Sequence, residues 1–262
     1  MKELTKKEMY LNYGIVMNGD KLVSPIGEVT EMLQEGGNTK LGKTVYTWSV
    51  LPGTTVYHIR FNGHEYDVKG TCRCDCVGCY AKTGHYNHES VITALAVRTV
   101  LIRNYPDWTL RAIKAQLAYR LQTVPRLELR ISAAGEMEDS AAPLWLNVVE
   151  SFPTVTTWTY TKNAKLESLF DGKKNANIVK SIIPGHGFNF GHAGYIIDTY
   201  KALKAAGKSV YICRCGIDKN QHCERCGVCA TYEYVLFLEH STSYRAEKDP
   251  RYMELVELIN NQ

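Results

Sequence analysis

All nine cysteines of the chain fall in two short groups, Cys72, Cys74, Cys76 and Cys79, then Cys213, Cys215, Cys223, Cys226 and Cys229. Cysteines that merely fill a core would be scattered. The N-terminus, Met1 to Tyr10, is charged and lacks the apolar stretch of a signal peptide. No run of apolar residues approaches the roughly 18 to 20 needed to cross a bilayer, so a cytoplasmic protein with no membrane partner is expected. In a reducing compartment thiols stay unpaired, and grouped thiols read first as metal ligands rather than disulfides. The fold must therefore present two loops on which several thiolates converge.

The rest of the chain supplies elements to carry those loops. Val45 to Phe61 is rich in β-branched and aromatic residues and is interrupted by Pro52-Gly53, which reads as two strands joined by a turn. His88 to Ile102 has apolar residues at helical spacing. After Pro106, Asp107 reads as the N-cap of a second helix to about Leu121, with Leu110, Ile113, Leu117 and Leu121 on one face. Strand-like and helix-like segments then alternate: strands at 127–132, 154–161, 178–183 and 209–213, and helices at 142–151, 164–170 and 194–206, the last closed by Gly207. Repeated β-α-β units predict an α/β fold, a mainly parallel sheet or partial (β/α) barrel with a cysteine-rich C-terminal metal-binding segment. The expected division is a core over 1–208 and a packed segment over 209–262. The first cysteine loop, Gly135-Glu136 and the glycines after Ile183 all follow strands, so they can meet at the carboxyl edge, where such sheets bind ligands. The net charge of +4 comes without a dense Lys/Arg run, which leaves nucleic acid only a possible partner.

Cys72, Cys76 and Cys79 stand in a C-x3-C-x2-C spacing. Three thiolates on one loop can hold three irons of a cubane and leave the fourth open. That spacing resembles the radical S-adenosylmethionine superfamily, where the open iron takes the amino and carboxylate groups of the cofactor. The residue before the last cysteine, commonly aromatic there, is here Gly78, and Tyr80 follows the cysteine. Alternatively, Cys74 completes a closed four-thiolate zinc site. His85 and His88 are nearby but suit a solvated helix start. Superfamily members carry a Gly-Gly-Glu-like motif after the next strand, to hold the cofactor's ammonium group. Here Ala134, Gly135 and Glu136 stand in that place, lacking the first glycine. A turn followed by an acidic helix start, with Glu138 and Asp139, is the rival reading.

The runs NTKLGKTVYTWSVLPGTT, GCYAKTG, LELRISAAGEMED and TTWTYTKN, with Cys226-Gly-Val-Cys229, resemble phage proteins of the gene-product-88 family from roughly Asn38 to His240. This resemblance implies the organisation of a radical S-adenosylmethionine enzyme without naming a substrate. Tyr160, Thr161, Lys162 and Asn163 end a strand and can contact the cofactor or simply form a strand-to-helix turn. Gly185, Gly187, Gly191 and Gly194 lie in a loop that can line a site, although their spacing is not that of a nucleotide fingerprint. His186 and His192 are either acid/base groups or surface residues. Cys223, Cys226 and Cys229 form C-x2-C-x2-C, with Cys213 or Cys215 as fourth thiolate. This fits a second [4Fe–4S] cluster, or a zinc knuckle with His222 nearby. His240, Tyr234 and Tyr244 read as packing or surface residues.

Together these readings lead to an expected iron–sulfur enzyme. Its first [4Fe–4S] cluster would bind S-adenosylmethionine and, with electrons from a donor such as flavodoxin or ferredoxin, generate a 5′-deoxyadenosyl radical that modifies an unidentified substrate. Gly135, Glu136, Thr161, Lys162 and Gly185 are the candidate cofactor contacts. The alternatives are a zinc-stabilised phage-type protein that engages nucleic acid or a host protein without catalysis, and an electron carrier.

Overall fold

A computed structural model of the chain describes residues 3–36, 41–73, 79, 81, 84–185, 187–214, 217–218, 223–238 and 246–262. Helix α1 (Lys6–Asn12) starts at a reciprocal cap, in which the Thr5 hydroxyl accepts from the Glu8 amide and the Glu8 carboxylate accepts from the Thr5 N–H. Three short antiparallel strands follow: β1 (Met17–Asn18), β2 (Lys21–Ser24) and β3 (Gly27–Val29). Then come β4 (Gln34–Glu35), β5 (Val45–Thr47), and the hairpin of β6 (Val56–Phe61) with β7 (His64–Lys69). Helices α2 (Glu89–Asn104) and α3 (Pro106–Leu121) lead to β8 (Glu128–Ile131), α4 (Ala142–Ser151), β9 (Thr156–Thr161) and β10 (Ala176–Lys180).

Strands β10, β9, β8 and β5 pair in parallel in that order, and β4 closes the edge antiparallel to β5. Register partners in parallel strands share a face. Thr47, Arg130, Trp158 and Asn177 thus point one way, while Tyr46, Leu129, Thr157 and Ala176 point the other. The second face carries the main core, where Tyr46, Leu129 and Ile131 pack with Leu101, Ile113, Leu117 and Val148 from the three helices. Trp48 and Trp145 meet edge to face at 5.5 Å between centroids within it.

The two strands expected between Val45 and Phe61 both form, but they do not pair with each other. The chain beyond β5 continues alongside β8, with the Trp48 N–H donating to Arg130 O at 3.0 Å and the Ala133 N–H to Trp48 O at 2.9 Å. β6 instead finds its partner in β7, across the turn at Asn62-Gly63. The second helix starts one residue before the expected cap. Pro106 occupies its first turn because it lacks the N–H that would go unpaired there, and Tyr105 takes the cap position in place of Asp107. The expected helix at 164–170 is only a single 3-10 turn, Ala164–Leu166.

Beyond β10 the chain forms a hairpin of β11 (Ile182–Ile183) and β12 (Gly187–Phe188), then β13 (Phe190–Gly191), α5 (Ala193–Ala205) and β14 (Val210–Ile212). The short helix α6 (Cys223–Cys226), strand β15 (Tyr234–Leu238) and helix α7 (Tyr252–Asn260) complete it. β15 lies between β13 and β14, parallel to both. A second core gathers here, with Ile196, Ile197, Val210, Ile212, Leu236, Leu255 and Ile259. The two parallel sheets touch where the Lys180 N–H donates to Glu233 O at 2.9 Å, and the described strands do not close into a barrel. No helix among the described residues is long and apolar enough to cross a membrane.

Candidate metal and cofactor sites

The first site forms beyond the carboxyl ends of β5, β8 and β9. Past β5, the Val50 N–H donates to Ala134 O at 3.0 Å, which brings the turn after β8 against the approach to the first cysteine loop. Gly135 sits in that turn at φ +77°, and a Cβ there would fall 2.6 Å from Val50 Cγ2 and 2.8 Å from both Val50 O and Thr71 Oγ1. Only glycine fits, for conformation and for space alike. The close approach lets Thr71 Oγ1 accept from the Glu136 N–H at 2.8 Å while donating to Leu51 O at 3.0 Å.

Glu136 is buried, at 4 % exposure. Its Oε1 accepts from the Thr161 hydroxyl at 2.7 Å and its Oε2 from the Lys162 N–H at 3.2 Å. Burial pushes its pKa above the usual carboxylate value, against the pull of those two bonds. Cys72 follows Thr71 directly, with its N–H donating to Gly53 O at 3.1 Å. Burial pushes its thiol up to about 11, with smaller upward pushes from Glu136 and Cys79 and a downward pull from Lys162. The bonds from the Glu136 N–H to Thr71 and from the Lys162 N–H to Glu136 bring both residues close to the chain at Cys72. Cys74 and Cys76 lie outside the described residues, as do Gly78 and Tyr80.

Polar braces that sequence reasoning missed hold the loop. Arg73 Nη2 donates to both oxygens of Asp139, at 2.7 and 2.9 Å, and Asn163 Nδ2 donates to Asp139 Oδ1. Arg103 grips Glu138 through Nε and Nη2, at 2.7 and 2.8 Å, and donates to Lys69 O at 2.6 Å. Glu138 and Asp139, read from the sequence as a helix start, do cap and open the 3-10 turn Asp139–Ala141 ahead of α4, and their side chains are also the far ends of two clamps on the chain around Cys72. Gly185 belongs to none of the bonds around Glu136. It sits in the turn between β11 and β12, where a Cβ would have nothing within 4 Å. His192 caps α5, its Nδ1 accepting from the Tyr195 N–H at 3.3 Å, and His186 is outside the described residues.

The second site lies at the start of β8 and the middle of β9, on the face turned away from the helices. Cys213, Cys223, Cys226 and Cys229 line a single pocket with Glu128, Trp158, Tyr211 and Val235. Cys215 and His222 are not among the described residues. Tyr160 donates its hydroxyl to Cys229 Sγ at 2.7 Å, and burial first, then Cys229, holds that phenol well above its ordinary range. Asn177 Nδ2 donates to Cys229 O and Tyr232 O, both at 2.9 Å, and so fastens the cysteine-bearing turn to β10. The four thiols share a pocket. Even so, no three His, Cys, Asp or Glu side chains among the described residues are already gathered as a ready-made cage for a single ion.

The match to a family model now bears on this arrangement. Residues 31–231, more than half of the chain, match the model described as gene product 88. The chain belongs to the gene product 88 family. The matched span includes the Cys72 loop, the Glu136 turn, the end of β9 and all four described cysteines of the second pocket. For this gene product 88 protein, comparison with curated proteins and with solved structures finds no match.

Proposed function

We propose that this gene product 88 family member is an iron–sulfur enzyme of the radical S-adenosylmethionine type. The observation that carries the proposal is the Glu136 carboxylate, fixed between the end of β9 and Thr71, the residue before Cys72, at the carboxyl edge of parallel strands. The donor set suits the group, since thiolates are the ligands that iron–sulfur cubanes take. Cys72, Cys76 and Cys79 would hold three irons. A cluster bound there would supply, with an electron from an external carrier, the chemistry of reductive S-adenosylmethionine cleavage. The protein's part is to position. Glu136 orients the cofactor's ammonium group, Thr161 and the Lys162 amide hold that carboxylate in place, and the Arg73 and Arg103 clamps fix the loop.

The second pocket favours a further metal, either an auxiliary cluster or zinc. Four cysteines lining one cavity also support the rival reading, a zinc-stabilised binding protein without catalysis. Iron, acid-labile sulfide and zinc are to be measured in protein purified without oxygen, in wild type and in the Cys72/Cys76/Cys79→Ala variant. A loss of about four irons and four sulfides in the variant supports the cubane. Formation of 5′-deoxyadenosine by wild type but not by Glu136→Gln then supports the cofactor role. Zinc at both sites with no iron would overturn the enzyme reading in favour of the binding protein.

A further inference from the structure

A cavity of about 560 Å³ opens on the face of the sheet that carries Thr47 and Arg130, between the ends of β5 and β8 and helix α2. Its volume falls within the range of small-molecule sites. Ser90, Val91, Ala94, Leu95 and Arg98 line it along one stripe of α2, the 3–4 spacing of a single helical face. The opposite wall carries Thr47, Ser49 and Arg130 from the sheet. Arg98 is the unusual member. It is 4 % exposed, yet no carboxylate, carbonyl or ring among the described residues pairs with its guanidinium, and the buried Nη1 has no hydrogen-bond partner. Burial pulls its pKa down to about 10, so it still carries its charge at neutral pH.

An unpaired buried cation is strongly unfavourable unless something meets it. Arginine in particular presents a fork that matches oxyanions. From the opposite wall Arg130, whose guanidinium lies 5.3 Å from the Tyr160 ring centroid, adds a second positive charge and Ser49 a hydroxyl, while the one carboxylate among the described lining residues, Glu35, accepts from the Tyr46 hydroxyl at 3.2 Å. Tyr86, Val91 and Leu95 supply apolar surface beside them.

We infer that this cavity binds a small molecule with an oxyanion, a carboxylate or a phosphate, on an apolar body, with Arg98 as the anchor of the anionic group. The site stands whether or not the cysteine loop holds iron, so it can fail or succeed independently of the enzyme reading.

The test uses the full chain, with phenylacetate, phenyl phosphate and uncharged benzyl alcohol as probes at matched ionic strength, followed by thermal unfolding and calorimetry. At least one charged probe is expected to raise the wild-type unfolding temperature saturably, and benzyl alcohol is not. Which charged probe does so identifies carboxylate or phosphate. Arg98→Met should unfold at a higher temperature than wild type without probe, because it removes an unpaired charge, and should bind the charged probe at least tenfold more weakly. Ala94→Phe, which keeps Arg98 but fills the cavity, should lose the response too. Equal responses in wild type and both variants would place the anion elsewhere and overturn the site. So would an Arg98→Met protein that is less stable than wild type or does not fold, since Arg98 would then be a structural residue.

Discussion

Thr161 donates its hydroxyl to Oε1 of Glu136 at 2.7 Å across the ends of β9 and β8, joining two strand ends at a carboxylate that is 4 % exposed. Burying a carboxylate is unfavourable, and the bonds from the Thr161 hydroxyl and the Lys162 amide offset that only in part, because the pKa still lies above the ordinary value. The fold alone gains nothing from burying this carboxylate, and that is the physical basis of the proposal that it recognises a ligand.

The raised pKa gives a pH dependence with a definite sign. Glu136 binds its proton more tightly in the folded state than in the unfolded one. Its favourable contribution is therefore complete below the unfolded value of about 4.5 and is lost as pH rises through the folded value. Between those two points wild type should lose stability relative to Glu136→Gln by about 1.4 kcal/mol per pH unit at most. Urea unfolding of both proteins across this window checks it. A difference independent of pH would mean that Glu136 does not titrate as its burial requires.

Gly135→Ala combines two penalties, a left-handed backbone at φ +77° and a Cβ only 2.8 Å from a backbone oxygen. A loss on the order of 2–4 kcal/mol is expected, because Val50 and Thr71 would have to move and Thr71 would release the Glu136 amide. Gly172→Ala is the control. It has the same φ of +77° but open space around its Cβ, so the conformational part alone, about 1 kcal/mol, should appear. Equal losses at the two positions in denaturant titrations would show that the close approach at Gly135 carries no energy.

The sequence announced the elements whose residues repeat with a clear period. α4 spans Ala142–Ser151 as expected, α5 begins one residue early, and β8 lies inside the expected 127–132. Pairing was less legible. Whether β5 turns back on β6 or runs beside β8 depends on contacts more than eighty residues away, and local propensity carries no such information. The short strands β1 to β3 and the last strand, β15, went unread for a related reason. Met17–Asn18 is too brief to show alternation, and the apolar run of Tyr234–Leu238 makes sense only as a middle strand buried between β13 and β14. At the candidate site, Gly135 and Glu136 were legible because they follow a strand, and Thr161 because it ends one. Arg98 was not, since one arginine on a helix carries no signal until the cavity beside it is seen.

Asp139 joins Arg73, beside the first cysteine, to Asn163 after β9, and the two partners hold its pKa below the ordinary carboxylate value, Asn163 first. The bridge is therefore intact at neutral pH and weakens as pH falls through that lowered value. Asp139→Ala should loosen the loop without unfolding the protein. In metal-free protein at neutral pH, Cys72 is expected to react with iodoacetamide several-fold faster than in wild type. The wild-type thiol is half-buried and has a pKa of about 11, so it presents little thiolate. Peptide mass spectrometry over time follows this residue separately from the others. An unchanged Cys72 rate would show that the Arg73–Asp139 bridge does not restrain the loop.

Asn177 offers the sharpest test of how the second cysteine pocket is held. One amide nitrogen on β10 donates to Cys229 O and Tyr232 O, so a single side chain fixes the turn that carries Cys229, one of the pocket's thiols. Asn177→Leu keeps similar bulk but leaves both carbonyls without this donor, a cost of about 1–3 kcal/mol. The loss should stay local. Hydrogen exchange ought to quicken at Ala230, Thr231 and Tyr232, whose amides donate within the same turn, while β8 and β9 keep their protection because the main core is untouched. If the pocket holds a metal, the variant should also release it to a chelator faster than wild type does. Faster exchange spread evenly over β8, β9 and the turn would instead mean that the cysteine segment and the main sheet unfold as one unit.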